Sequence, residues 1–259
     1  MIDGDSRFMV WVARAGLTAR GFVYIVMGVL ALLIARGAHA QVDQKGALAQ
    51  VMAKPYGSWV VALIAIGLAG YSLWRLSEAA FGVTGEGRKP GPRLKSLARG
   101  LIYAFFTFTA VSLLEGSRRA QSTQERGYAS DLLAHQGGGW ALTLVGLVIV
   151  VVGLAAIKEG LQLKFMRFFP SGHLPPRLHA AIRTLGRIGT IARGFVFATT
   201  GVLVISAGFT HNAAKAGGLD VALKTLRDRP YGGPLLALVA IGLIIFGIYG
   251  LAEARYRRV

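Results

Sequence analysis

Long apolar stretches separated by polar, charged connections dominate the pattern of the chain. Six of them have the length that a helix needs to cross about 30 Å of hydrocarbon at about 1.5 Å per residue. We predict spanning helices at residues 17–34, 58–76, 97–114, 140–157, 188–209 and 235–252. Several contain glycine, which lets neighbouring membrane helices approach closely. The pattern therefore predicts an all-α membrane protein with six transmembrane helices.

A short motif recurs at the start of the first, third and fifth predicted spans. Ala-Arg-Gly occurs at 19–21, 98–100 and 192–194, and another arginine precedes each motif arginine by six residues. A glutamate ends the following span, 58, 60 and 60 residues after the motif arginine. Such regular spacing indicates an internal triplication, and we place the repeats at about 8–80, 93–160 and 183–255. Because two helices return the chain to its starting side, the three units are expected to be parallel repeats.

The second helix of each repeat is also preceded by a recurring segment. Pro-Tyr-Gly at 55–57 and 230–232 lies 23 residues before a repeat glutamate, and Gln-Gly-Gly at 136–138 takes its place in the middle copy. Residues 46–52 and 221–226, before the prolines, have apolar positions at helical spacing. We predict short amphipathic helices there, lying on the membrane surface.

The first span has an alternative interpretation. Two arginines precede its apolar core and Ala-His-Ala at 38–40 follows it, as in a secretory signal with its cleavage site. The two counterparts of this span deeper in the chain favour a retained building block.

These motifs together resemble a bacterial membrane family catalogued only as a domain of unknown function. The residues that carry the resemblance are Ala-Arg-Gly-Phe-Val-Tyr at 19–24, the later Pro-Tyr-Gly, and Gly-Leu-x-Gly-Tyr-x-x-Trp-Arg-x-x-Glu at 67–78. The resemblance covers nearly the whole chain, although the middle copy lacks the aromatic–arginine pair before its glutamate. It implies tandem two-helix units, three in this chain, and implies nothing about an activity.

Composition and charge place the protein in a membrane. Of the 259 residues, 54% are hydrophobic and only 16% charged, whereas soluble domains carry about a quarter charged residues. The side that would hold both termini has 19 of the 29 basic residues, which predicts cytoplasmic termini in a bacterial inner membrane. The basic loops 88–95 and 164–187 are expected to meet anionic lipid headgroups. Nucleic acid is not an expected partner, because the basic residues are spread over membrane-flanking loops.

The repeated arginines and glutamates are the main candidate site residues. The antiparallel helices of a unit place them at similar depth, the arginine at a helix start and the glutamate at a helix end, where each faces the unfavourable pole of the helix dipole. An unpaired ionised group near hydrocarbon is costly, so we expect each glutamate to contact a motif arginine of its own or a neighbouring repeat. For the arginines, anchoring of helix ends is the first hypothesis. For the Arg–Glu pairs, structural bridges are the first hypothesis and a moving gate or proton relay is the alternative. The six residues are Arg20, Arg99, Arg193, Glu78, Glu159 and Glu253.

Cofactor and enzyme chemistry find little support in the sequence. There is no cysteine, no histidine or lysine at mid-span, no phosphate-binding loop and no nucleophile–base set. His39 and His211 lie 19 and 18 residues after Arg20 and Arg193; they are expected at the loop surface, with a metal or quinone contact as the alternative. We therefore expect no metal, no cofactor and no enzymatic activity.

The middle of the predicted spans carries no ionised side chain, which transporters of polar solutes normally place there. The first hypothesis is a non-enzymatic protein, either a scaffold or accessory subunit of a larger membrane assembly or a binder of lipid or another hydrophobic ligand. The alternative is a small-molecule or ion transporter, a pseudo-threefold bundle gated by Arg–Glu pairs.

Overall fold

Six long helices, each apolar enough to cross a membrane, build the fold. The computed structural model describes residues 3–38, 40–83, 89–117, 120–169 and 175–257, which contain no β-strand. The long helices are α1 (Asp3–Ala35), α3 (Gly57–Phe81), α4 (Pro90–Leu114), α6 (Gly138–Leu161), α7 (Pro176–Thr210) and α9 (Gly232–Tyr256). Short helices connect the two long helices of each repeat: α2 (Gln44–Met52), α5 (Gln121–Leu133) and α8 (Gly218–Arg227). Two 3₁₀ turns, Lys164–Phe168 and Ala213–Lys215, follow α6 and α7. The predicted all-α, six-span fold is confirmed.

The first helix of each repeat begins well before the predicted span. Helices α1 and α7 begin at Asp3 and Pro176, so Arg20 and Arg193 lie about five turns inside their helices at about 3.6 residues per turn. The helix dipole acts within about one turn of a helix end. The predicted dipole penalty on these two arginines is therefore wrong, because apolar length measures the part of a helix that suits hydrocarbon and not the whole helix.

The long helices form an incomplete ring in the order α1, α3, α4, α6, α7, α9. The most extensive packing joins the second helix of one repeat to the first helix of the next: α3 to α4, α6 to α7, and α9 to α1. Within the first and third repeats, α1 packs on α3 and α7 on α9. In the described part of the middle repeat, α4 and α6 do not pack along their lengths. The ring is therefore open on one side, between α4 and α6.

The glycine of the Ala-Arg-Gly motif lies at the contact between repeats. A Cβ built on Gly194 would lie 2.7 Å from the carbonyl oxygen of Gly153, and in the first interface the Ser72 hydroxyl donates a hydrogen bond of 2.8 Å to the Gly100 carbonyl. The three equivalent contacts are Gly21 with Gly247, Gly194 with Gly153, and Gly100 with Ser72. One sequence position thus makes the same inter-repeat contact three times, as parallel repeats require.

The opening in the middle repeat follows from one sequence difference. In the first and third repeats, a glycine lies eleven residues before the repeat glutamate and packs against the alanine of the Ala-Arg-Gly motif. Gly67 contacts Ala19, and Gly242 contacts Ala192. The middle repeat has Val148 at this position, and its side chain is 56% exposed. Because close helix approach needs a small residue at the contact, valine keeps α6 away from α4.

The Pro-Tyr-Gly segment is a structural turn. Tyr56 and Tyr231 both have φ of 59°, in the left-handed region, immediately before α3 and α9. The glycine that follows each has no room for a Cβ against the last turn of the preceding short helix. In the middle repeat Gly137, with φ of 79°, takes the position of the tyrosine. The backbone turn is kept in all three repeats, although the proline and tyrosine are not.

The three short helices meet at one end of the ring. Helices α2 and α8 occupy the two predicted amphipathic segments, and α5, which the sequence pattern did not predict, completes the set. Besides contacting the long helices, α5 packs against both α2 and α8. We call these helices the cap and this end the cap end; the opposite end, where α1 begins and α9 ends, is the terminal end.

Candidate functional site

Charged side chains from all six long helices converge inside the ring towards the terminal end. We call this group the arginine cluster. Five arginines and three glutamates lie there among buried aromatic rings. The charged members are Arg20, Arg75, Arg99, Arg193, Arg257, Glu78, Glu159 and Glu253. The structure thus brings together all six residues that the repeat pattern singled out.

Glu253 makes the contact that joins the third repeat to the first. Its carboxylate accepts a hydrogen bond from Nη2 of Arg20, on α1, and another of 2.8 Å from Nη1 of Arg257, four residues further along its own chain segment. Glu253 is 4% exposed. The pairing is between repeats, one of the two arrangements that the sequence left open.

Glu78 pairs with an arginine outside the repeated motif. Nη1 of Arg75 donates to it over 2.6 Å, and the hydroxyl of Ser96, on α4, donates over 2.9 Å. The expected contact with a motif arginine, of its own or a neighbouring repeat, is not made: Arg75, three residues earlier on the same helix face, binds the carboxylate instead. The link from Glu78 to the second repeat is therefore a neutral hydrogen bond.

Glu159 is half-buried and has no ion pair with any residue that the structure describes. Arg99 lies within electrostatic range of it, and also of Tyr71, Arg75 and Arg193. The middle repeat therefore lacks the expected bridge, which agrees with the separation of α4, the helix of Arg99, from α6, the helix of Glu159.

Arg193 contacts aromatic rings in place of a carboxylate. Its guanidinium carbon lies 4.9 Å from the centre of the Phe197 ring and 5.1 Å from that of Phe246. Arg20 approaches the same Phe246 ring at 5.4 Å. Cation–π contacts of this kind contribute about 0.5–2 kcal/mol, but they leave the guanidinium N–H groups without an acceptor.

Several N–H groups of the cluster are buried without a hydrogen-bond partner among the described residues. They are Nε of Arg20, Nε of Arg193, Nε of Arg257 and Nη2 of Arg75. Arg75 is 2% exposed, and Arg20 and Arg257 are 8% exposed. A buried donor without an acceptor is destabilising by about 1–3 kcal/mol, and by more when it is charged. The cluster therefore has an excess of buried donors over acceptors.

Arg75 and Arg257 were not among the sequence-predicted site residues. The signal that could have identified them is their spacing of three and four residues from Glu78 and Glu253, which places each pair on one helix face. The contribution of Ser96 had no such signal, because it depends on how α3 and α4 pack.

Of the two histidine candidates, His211 lies in the described part of the structure. His211 ends α7 with φ of 48°, is exposed at the cap end, and lies beside Gly139. His39 lies outside the described residues. Among the residues that the structure covers, no group of three or more His, Cys, Asp or Glu side chains is arranged to hold a metal ion.

The cap contains a second charged group that the sequence analysis did not identify. Asp220 accepts a hydrogen bond of 2.9 Å from the backbone N–H of Val42 and one of 2.8 Å from Nζ of Lys224. Asp43 begins α2 and accepts from the N–H of Gly46 over 2.6 Å. Glu125, on α5, accepts from Nε2 of Gln121 over 2.9 Å. The hydrogen bond from Val42 to Asp220 joins the segment before α2 to α8, whereas Asp43 and Glu125 accept from residues of their own helices. The three carboxylates are too far apart in sequence for any motif to relate them.

Burial, with smaller contributions from the nearby Asp43 and Asp220 carboxylates, raises the pKa of Glu125 to about 7. Burial likewise raises the pKa of Asp43. A carboxyl group with a raised pKa in the folded state binds a proton there that the unfolded chain has already released. The free energy of unfolding is therefore highest, as far as Glu125 is concerned, below the unfolded-state pKa of 4.5. It falls as the pH rises from there to the folded-state pKa of about 7.

We expect the melting midpoint of the protein in detergent to fall between pH 5 and pH 8, with a loss on the order of 2 kcal/mol from Glu125. Glu125→Gln, which cannot ionise, is expected to remove most of this pH dependence and to be the more stable protein at pH 8. Asp131→Asn, an exposed position of the same helix, is the matched control and is expected to keep the slope of the natural protein. An unchanged slope in Glu125→Gln would contradict the assignment.

Comparison with known proteins agrees with the three-repeat architecture. The family described as Domain of Unknown Function (DUF1206) matches three times, over residues 15–82, 94–162 and 188–257. The chain is also similar to "Uncharacterized protein YxxB" of Bacillus subtilis (strain 168), with 30% identity over 247 residues, 94% of this chain and 90% of that protein. No solved structure matches the chain. The protein therefore belongs to the DUF1206 family, as a three-copy member with six apolar helices of membrane-spanning length.

Proposed function

We propose that the protein is a non-enzymatic membrane protein that binds a lipid, or another hydrophobic ligand of similar shape, inside its incomplete ring. The observation that carries the proposal is the opening between α4 and α6, two helices of membrane-spanning length that do not pack in the described structure. A side opening at hydrocarbon depth admits molecules that are dissolved in the bilayer and excludes polar solutes.

A cleft beside α4, one edge of the opening, has the character of a ligand site. It is narrow in the described structure, with a cavity volume of about 10 Å³, so an acyl chain enters it only when the lining side chains move apart. Apolar and aromatic side chains form most of the wall, with Arg20 and Gln44 as strongly polar groups. Both of these carry a buried atom without a hydrogen-bond partner, Nε of Arg20 and Oε1 of Gln44. The lining residues are Arg20, Val23, Tyr24, Gln44, Leu48, Leu68, Tyr103, Phe106 and Thr109.

We further propose that the protein lies in the bacterial inner membrane with both termini in the cytoplasm. The support is the distribution of basic residues, 19 of 29 on the side of the termini. The arginine cluster would then face the cytoplasmic leaflet, where the anionic headgroups of that leaflet and the basic loops attract each other.

The transporter alternative receives less support. A gate built from the repeats would need equivalent Arg–Glu bridges at the three inter-repeat contacts. Among the described residues, only Arg20 and Glu253 form such a bridge, while Glu78 pairs within its own helix. A scaffold role, in which a partner protein covers the opening, remains an outcome of the experiment below.

Photolabelling tests whether lipid enters the ring. The protein is placed in phosphatidylcholine vesicles that contain a trace of phospholipid with a diazirine on one acyl chain, and the adducts are located by mass spectrometry. Phe108 is 69% exposed on the outside of α4 and is expected to be labelled by bulk lipid in any case. Adducts on Tyr103 and Phe106, which line the cleft, are the expected result. Labelling of Phe108 without them would overturn the proposal.

A substitution at the opening identifies the entry route. Val148→Trp puts a large side chain where the outer repeats have a glycine, and we expect it to reduce the labelling of Tyr103 and Phe106 several-fold without changing that of Phe108. Leu154→Trp is the matched control, because Leu154 is 55% exposed against 56% for Val148 and lies on another face of α6. Protein purified in mild detergent with a stoichiometric partner protein in place of lipid would favour the scaffold role.

A further inference from the structure

We infer that the arginine cluster is an anion-binding site that takes a phosphate group, with Arg99 and Arg193 as its principal ligands. The inference deepens the proposed function, on which it rests only for the source of the phosphate, a lipid headgroup. The anion would lie between Arg99 on α4 and Arg193 on α7, the first helices of the second and third repeats.

The first support is the uneven pairing within the cluster. Glu78 is held by Arg75, and Glu253 by Arg20 and Arg257. Glu159 forms no ion pair among the described residues. Within the described ranges, Arg99 and Arg193 consequently have no carboxylate partner at hydrogen-bond distance, in a part of the chain where unpaired charge is costly.

The second support comes from buried donors that face the same region. Nη2 of Arg75 and Nε of Arg20 have no hydrogen-bond partner in the described structure, and their side chains are more than nine-tenths buried. Arg75 lies in electrostatic range of Arg99, and Arg20 shares the Phe246 ring with Arg193. Four guanidinium groups from four helices therefore lie near one another, and three of them (Arg20, Arg75 and Arg193) have a buried N–H without a partner among the described residues.

The chemistry of these donors selects a tetrahedral oxyanion. Guanidinium groups bind phosphate through two parallel hydrogen bonds, and several of them satisfy the oxygens of one phosphate group. Aromatic rings hold Arg193 in place, so that little side-chain freedom is lost on binding. Phosphate would both supply the missing acceptors and neutralise the excess positive charge.

Two sources of phosphate have to be distinguished: the headgroup of an anionic phospholipid that enters between α4 and α6, and inorganic phosphate from the aqueous side. The test compares the binding of phosphatidylglycerol and of zwitterionic phosphatidylcholine by native mass spectrometry. A second arm measures the melting midpoint in lipid-depleted detergent, with inorganic phosphate against chloride at equal ionic strength.

We expect phosphatidylglycerol to bind about tenfold more tightly than phosphatidylcholine, as one charge-assisted hydrogen-bonded pair would produce. Arg99→Gln and Arg193→Gln should each weaken the binding of phosphatidylglycerol more than that of phosphatidylcholine, whose phosphate is already neutralised by choline, and should thereby remove the preference. Arg255→Gln is the matched control: Arg255 is exposed near the same end of α9, and the preference should persist. Arg99→Lys and Arg193→Lys keep the positive charge but lack the planar guanidinium group. They are expected to fold even if the Gln variants do not, and their preference for phosphatidylglycerol should be several-fold smaller.

The source follows from the second arm. If inorganic phosphate raises the melting midpoint of the natural protein but not that of Arg99→Gln, the site also binds the free anion. If phosphatidylglycerol is preferred but inorganic phosphate has no such effect, the site binds the lipid headgroup. No lipid preference together with no phosphate effect overturns the inference, as does a preference that survives in both Gln variants. If lipid binds inside the ring without regard to headgroup, this inference fails and the proposed function stands. If phosphate stabilises the protein but Tyr103 and Phe106 are never photolabelled, the anion site stands and the proposed lipid binding fails.

Discussion

Replacing Glu253 with Gln is expected to lower the free energy of unfolding by about 3–5 kcal/mol, the usual consequence of removing one partner from a buried ion pair. The carboxylate is 4% exposed and accepts from both Arg20 and Arg257. Its loss leaves two buried guanidinium groups without their acceptor, and it removes the bridge that joins the third repeat to the first. The measurement is reversible unfolding in detergent or vesicles, followed by helix content.

A double-mutant cycle separates the bridge from general effects of the substitution. Arg20→Gln alone should also be destabilising, and the double variant Arg20→Gln/Glu253→Gln should lose less stability than the two single losses together, by about 1–3 kcal/mol. Glu159→Gln is the matched control, because it occupies the same repeat position and has no ion pair among the described residues. Additive losses at Arg20 and Glu253 would show that the two side chains are not coupled.

Gly153→Ala is expected to be strongly destabilising, on the order of 3 kcal/mol, although alanine is the better helix former. A Cβ at this position would lie 2.5 Å from the backbone nitrogen of Ala198 and 2.7 Å from the carbonyl oxygen of Gly194. These are backbone atoms, which cannot turn aside as a flexible side chain would. Helices α6 and α7, the most extensively packed pair, would have to separate.

The control for this substitution is a glycine in open space. A Cβ on Gly127, in α5, would have nothing within 4 Å, so Gly127→Ala should be stabilising by about 0.5–1 kcal/mol. The two substitutions are chemically identical and should have effects of opposite sign on the melting midpoint. A stabilised Gly153→Ala would show that α6 and α7 do not approach as closely as described.

The sequence by itself determined the architecture. Span number and approximate position follow from apolar length alone, since burial in hydrocarbon depends on each segment's own composition. The repeat was visible because Ala-Arg-Gly and the glutamate recur at nearly constant separation. The opening between α4 and α6 also corresponds to a sequence difference, since Val148 occupies the position of Gly67 and Gly242. The effect of this difference can be interpreted only when the contacts of those glycines with the motif alanines are known.

The pairings within the arginine cluster depended on the tertiary structure. Sequence spacing sets how deep a side chain lies along a helix, because each residue adds about 1.5 Å of rise. It does not set the rotation of one helix against another, and that rotation decides whether Glu253 meets Arg20 or Arg193. For the same reason the sequence did not reveal that Ser96 donates to Glu78, or that Glu159 forms no ion pair with the residues the structure describes.

The cap shows most clearly which contacts the sequence could not predict. Asp43, Glu125 and Asp220 belong to three short helices separated by 82 and 95 residues, and no local pattern relates them. They lie together only because the ring brings the three connections to one end, where burial and mutual repulsion then raise the pKa of Glu125. Composition and periodicity are local properties of a chain and determined the helices, whereas the charges that meet between helices were decided by packing.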